Sequence, residues 1–140
     1  MPVQVEYLDD GLGAAFRGIG VVTGENIKSA NMEMFSTPEK TRRYKYGLAD
    51  WTEVTEFKVA SPELKDAADQ DKTAAQYTPE LFLAIVADKD LEFGFARMFA
   101  VFIEANNLDW EVMFFRKRAD AETWIKEKVK AKFQIDVNVA

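Results

Sequence analysis

The sequence contains no cysteine and no histidine. Without cysteine there is no disulfide, no thiolate zinc site and no cysteine nucleophile. Without histidine the commonest general base and the commonest transition-metal ligand are gone, and a Ser-His-Asp triad cannot be built. Long apolar runs are also missing. The richest stretch, residues 81–107, is interrupted by Asp88, Asp90, Glu92, Arg97 and Glu104, so it is no membrane span. The opening MPVQVEYLDDG has neither a basic n-region nor an apolar h-region, so no signal peptide is expected. Positive charge is in deficit, with 18 basic against 24 acidic residues and a net charge of −6. An acidic chain repels phosphate backbones, so nucleic acid is not an expected partner. The one basic run, Lys40-Thr41-Arg42-Arg43-Tyr44-Lys45-Tyr46, reads as a solvated lead-in to a strand. The expectation is a cytoplasmic protein with no cofactor and no metal set.

What is present suits one domain. A chain of 140 residues can bury a core without staples. Val3, Val5 and Tyr7 alternate with Gln4 and Glu6, the mark of a half-exposed strand. Asp9-Asp10-Gly11 is a hairpin signal into a second strand, about 12–22. Thr23 is placed to cap a helix from Gly24 to about Phe35. A third strand is expected at 44–51 and a loop at 52–60, anchored by Val54 and Phe57. Ser61, followed by Pro62 and Glu63, reads as the cap of a second helix running to about Tyr77. Its apolar face is small: Leu64, Ala67, Ala68 and Ala75.

Residues 81–87 form a continuous apolar run, as expected of a strand covered on both faces. The helix that follows carries Phe93, Phe95, Met98, Phe99, Val101, Phe102 and Ile103, which fit no single stripe. A fifth strand at 110–115 and a last helix with Ala121, Trp124, Ile125 and Val129 inward complete the core, about 3–132. Then Phe133, Ile135, Val137 and Val139 alternate with polar residues and predict a C-terminal edge strand at about 133–139. Crossovers of this length imply a mixed, mostly parallel sheet of about five strands with helices on both faces.

Three stretches carry a resemblance. They are Leu48-Ala49-Asp50-Trp51-Thr52-Glu53-Val54, Phe93-Gly94-Phe95-Ala96-Arg97-Met98-Phe99 and Ala121-Glu122-Thr123-Trp124-Ile125. With the element order, the chain resembles the STAS domain of anti-sigma-factor antagonists. It is similar in particular to a bacterial family of uncharacterised SpoIIAA-like proteins related to STAS and CRAL-TRIO domains. The resemblance covers roughly residues 8–129. It implies a SpoIIAA-like α/β domain acting through protein contacts, and allows an apolar ligand cavity. Antagonist STAS domains follow the third strand with an Asp-Ser-Ser-Gly-type turn whose serine is phosphorylated. The matching place here reads Phe57-Lys58-Val59-Ala60-Ser61-Pro62, without that motif, leaving Ser61 as the candidate phosphoacceptor.

In open parallel sheets ligands gather beyond the carboxyl ends of the strands. That edge should carry Asp50, Trp51, Asp88, Lys89, Asp90, Arg116 and Arg118. Helix capping and solvated charge are the ordinary reading of most of these. Arg97 is the one strong charge in the apolar part of its helix, and should meet a carboxylate, a carbonyl or a ligand anion. The candidate ligand-binding residues are therefore Arg97, Trp51, Lys58, Lys89 and Arg116, with no catalytic residue. The leading expectation is a non-enzymatic STAS-like interaction module, a homodimer. The alternative is a carrier or sensor of a small apolar or lipid-like anionic ligand, with Arg97 on its head group and Phe95, Phe99 and Phe102 around its tail. That alternative requires a pocket behind the helix of Arg97. An enzyme built on Asp and Glu alone would need two carboxylates facing one cleft.

Overall fold

The computed structural model describes residues 2–140, Leu91 by its backbone only. The element order is β1 (Val3–Leu8), a 3-10 turn (Asp9–Gly11), β2 (Gly13–Thr23), α1 (Gly24–Met34), α2 (Pro38–Arg43), β3 (Tyr46–Lys58), α3 (Ser61–Ala74), β4 (Phe82–Val86), α4 (Asp90–Ala105), β5 (Glu111–Phe115) and α5 (Arg118–Phe133). The five strands form one sheet in the order β1-β2-β3-β4-β5. β1 and β2 are antiparallel, and the other three pairs are parallel. Strands that follow one another in space as in sequence, joined by crossovers of one hand, place their helices on one face. Thus α1, α3 and α4 cover one side, with Ile27, Met34, Leu64, Ala67 and Ala96 in the same core cluster. The last helix, α5, has no following strand and closes the other side with Ala121, Ile125 and Val129. The α/β class, the mixed sheet and the helices on both faces are as the sequence predicts.

Local chemistry explains the starts of the first two helices. Thr23 accepts from the Asn26 amide, and the Asn26 side chain accepts from the Thr23 amide, 3.2 and 2.9 Å. This is a reciprocal cap that satisfies donors the helix cannot. Thr37 caps α2 by accepting from the Lys40 amide at 3.2 Å, and Pro38 opens it. The basic run is therefore partly helical rather than a simple lead-in, and both of its tyrosines are buried.

Three expectations need correction. First, β3 does not stop at Trp51; it continues to Lys58. Its register against β2 slips between Arg17 and Ile19 and again between Gly20 and Val21. Each slip puts one more residue on β3 than on β2, so Trp51, Val54 and Phe57 are all buried at a spacing of three. Bulges break the period of two on which strand recognition rests. Gly18 permits this packing, since a Cβ there would lie 2.5 Å from the Trp51 ring.

Second, Ser61 is not the cap of α3. The cap position is Ala60, whose amide donates to the Glu63 carboxylate at 2.9 Å, and Ser61 is the first helical residue.

Third, residues 133–139 form no edge strand. Gln134 takes a left-handed conformation (φ 58°) and ends α5. The chain then runs back over the α5 face of the sheet, burying Val137 and Val139 in that core. Its backbone is held by Asp9, whose carboxylate accepts from the Asn138 and Val139 amides at 3.0 and 2.9 Å. The Asp9 amide in turn donates to the Ala140 carbonyl at 2.9 Å. Alternation marked which side chains are buried, while the backbone found a carboxylate instead of a neighbouring strand.

Candidate functional site

An apolar cavity of about 70 Å3 lies between the sheet and the helices α1, α3 and α4. Its floor is made by Ala14 and Phe16 of β2, Ala49 and Trp51 of β3, and Leu83 and Ile85 of β4. Phe95, Ala96 and Phe99 of α4 and Leu64 and Ala67 of α3 roof it. The prolonged β3 supplies the end wall: Trp51 packs edge-on to Phe57 at 5.6 Å between ring centres, and Phe57 packs on Phe95 at 5.2 Å. The small side chains of α3 matter here. Ala67, Ala68 and Ala74 fill less space than the leucines usual on such a stripe, so the helix covers the sheet without filling the gap above it.

Two carboxyl groups line this cavity, Asp71 of α3 and Glu92 of α4. Their exposures are 4 % and 3 %. Each stands on the inward stripe of its helix: Asp71 follows Leu64 and Ala67 by seven and four residues, and Glu92 precedes Ala96 and Phe99 by the same intervals. Among the described residues the Glu92 Oε2 atom is buried without a hydrogen-bond partner. Burial away from water holds the Asp71 carboxyl well above the usual carboxylate range. The other polar lining groups are engaged elsewhere. The Tyr44 hydroxyl donates to the Met34 carbonyl at 2.7 Å, Asn31 Nδ2 to Gln70 at 2.9 Å and Trp110 Nε1 to the Thr78 carbonyl at 2.8 Å. No lysine or arginine lines the cavity.

The sequence-predicted residues fall elsewhere, with one exception. Trp51 lines the cavity. Arg97 does not; it lies exposed on the outer face of α4, because its neighbour Ala96 takes the inward position and one residue turns a helix by about 100°. An anionic head group inside this cavity would therefore find no Arg97. Lys58 is exposed at the end of β3 beside Glu56, 3.8 Å away. Lys89 is exposed, donating to the Thr52 carbonyl at 3.3 Å and pairing with Asp88. Arg116 pairs with Asp90 at 3.0 Å and lies over the Phe93 ring. Arg118 pairs with Asp50 at 3.2 Å and with Glu122 at 3.1 Å. The carboxyl edge of the sheet does gather the expected charges, but as mutual pairs. Ser61 is exposed, its hydroxyl 3.4 Å from the Met98 sulfur.

Asp71 and Glu92 were not among the candidates. The signal for them was available: a charged residue on the apolar stripe of a helix, the same argument that singled out Arg97. In α3 the alanine stripe is too weak to set it off, and in α4 apolar residues on all sides hide the inward direction.

No protein-family model matches the chain, and no curated protein matches it. A solved structure is among those similar to the chain. It is an uncharacterized protein of the DUF3478 family with a SpoIIAA-like fold, from Shewanella loihica PV-4. The two are 20 % identical, over 88 % of this chain and 91 % of that one, with a TM-score of 0.48. An uncharacterised SpoIIAA-like protein is the kind of relative that the sequence resembles. Among the described residues no helix is long and apolar enough to cross a membrane, and no group of three or more acidic, histidine or cysteine side chains could hold a metal ion.

Proposed function

We propose that this protein is a non-enzymatic ligand-binding module, a carrier or sensor of a small, mainly apolar molecule held between α4 and the sheet. The observation that carries this reading is the apolar cavity behind α4. Protein interiors are packed to crystal density, and voids larger than a water are few. A void walled by Phe16, Trp51, Phe57, Phe95 and Phe99, with a few polar groups among them, has the composition of a small-molecule site. Native mass spectrometry of the protein purified from its own cells tests the reading. An extra non-protein mass that leaves on denaturation is the expected result. A protein at its sequence mass, whose cavity-lining amides also ignore a neutral alcohol such as 1-propanol in an NMR titration, overturns it.

A second reading is an interaction module that pairs with another copy of the chain. It has its own observation. Met98 and Val101 stand 37 % and 61 % exposed on the outer side of α4, and β5 is an edge strand with Met113 exposed. Sedimentation at micromolar concentration tests it: a dimer mass supports pairing, and a monomer mass removes it. The terminal segment lends no support, since it is sealed onto its own chain through Asp9.

A further inference from the structure

We propose that the ligand of the cavity is a small organic cation, a short amine whose ammonium group is held by Asp71 and Glu92 while its carbon chain lies against the aromatic walls. This rests on the ligand-binding reading above and names the chemical class.

The two acids are costly where they stand. A buried polar group is normally hydrogen-bonded, and a buried charge is normally paired. Asp71 and Glu92 are both more than nine-tenths buried and line one cavity, and the Glu92 Oε2 atom is left without a donor. Among the described residues no lining side chain donates to either acid. The hydroxyl of Tyr44 and the side-chain N–H groups of Asn31 and Trp110 are committed elsewhere, and the Tyr46 hydroxyl donates to Asp9. No basic side chain reaches the cavity from α1, α3, α4 or the sheet. The missing donor must come with the ligand. An anion finds no basic side chain in the lining. A neutral hydroxyl offers one donor, whereas an ammonium offers three and compensates charge as well. The volume of about 70 Å3 is near half that of a cavity of roughly 150 Å3 that admits benzene, so the ligand has on the order of three to five non-hydrogen atoms.

Binding is coupled to a proton. The titrating side chains that share the cavity lining with Asp71 are Glu92 from α4 and Tyr44, just before β3, while the Tyr46 hydroxyl is turned to Asp9; the lining residues of β2, β4 and α1 include no titrating or charged side chain. Burial favours the protonated form of Asp71 in the empty cavity. An arriving ammonium keeps its own proton, and the Asp71 carboxyl releases one to solvent. The ion pair then forms, and affinity rises with pH until Asp71 is ionised in the free protein.

The test is an NMR titration of the full chain with three probes of similar size: propylammonium, 1-propanol and propionate. Calorimetry in two buffers of different ionisation enthalpy counts the protons. Propylammonium is expected to shift the cavity-lining amides, to bind at least tenfold more tightly than 1-propanol, and to release protons. Asp71→Asn and Glu92→Gln are each expected to weaken propylammonium at least tenfold and to remove most of its advantage over 1-propanol. Equal affinity for propylammonium and 1-propanol, or no proton release, overturns the amine inference while the cavity reading stands. Tighter binding of propionate overturns it in favour of an anion. Silence of the cavity amides to all three probes overturns both. The proton count needs only the unaltered chain, so poor folding of a variant leaves the test intact.

Discussion

Asp71 is a carboxyl where the helix wants an alkyl group, and its stability signature follows from that. Its folded value lies above the ordinary 3.8, because burial disfavours the charge. Below pH 3.8 the group is protonated in both folded and unfolded chains, and its charge costs nothing. As pH rises from 3.8 towards the folded value, only the unfolded chain releases the proton. Stability then falls by about 1.4 kcal/mol per pH unit, and levels off above the folded value. Asp71→Asn lacks this slope. Urea unfolding of both proteins at pH 4, 6 and 8 should show the variant gaining on the unaltered chain as pH rises. A gap that stays constant would mean that Asp71 is partnered. Asp9 is the opposite kind of acid, one whose oxygens are fully used. It accepts from two tail amides and from the buried Tyr46 hydroxyl. Asp9→Ala strands those donors, and should cost roughly 1–3 kcal/mol in urea unfolding. It should also open the tail to protease.

At the scale of elements, the tail and β3 show how one pattern serves two backbones. Residues 135–140 bury alternate side chains as a strand would, yet pair with no strand. Full burial of a valine is worth roughly 1.5–3 kcal/mol, so losing Val137 and Val139 by truncation after Gln134 should lower stability by roughly 3–6 kcal/mol. The same truncation should leave the oligomeric mass unchanged, because the segment packs on its own chain. A loss of mass in sedimentation would restore strand exchange between copies. In β3 the pattern failed in the other direction. The two bulges give Trp51, Val54 and Phe57 a spacing of three, which reads as an anchored loop, although the strand is continuous. Both features bear on function: the prolonged β3 walls the cavity, and the tail covers the opposite face, away from it.

For the whole molecule, the division of faces is decisive. Three crossover helices share one side of the sheet, and only α5 with the tail shields the other. The cavity sits on the crowded side because three helices with small inner residues meet there. The outer side of α4 exposes Met98 and Val101 beside Arg97, and the contact proposed between copies would use it. Val101→Glu places a charge in any such interface without touching the core, and should convert a dimer to a monomer in sedimentation at micromolar protein. Val101 is 61 % exposed, so thermal stability should change by less than about 0.5 kcal/mol.

The sequence by itself determined the class. Apolar periodicity, caps and crossover lengths depend on neighbours a few residues apart, and these specify the strand and helix order, the mixed sheet and the absence of cysteine and histidine chemistry. It also named Trp51, which lines the cavity, and the helix carrying Arg97, which helps to roof it. Only the tertiary structure decided where that helix faces. A helix apolar on all sides has no inward direction until the sheet supplies one, so Arg97 and Glu92 could not be told apart by pattern. Their exchange of roles turns the expected site from basic to acidic. The cavity was likewise invisible in the sequence, because a void is a property of how α1, α3, α4 and β3 meet, and no one of them contains it.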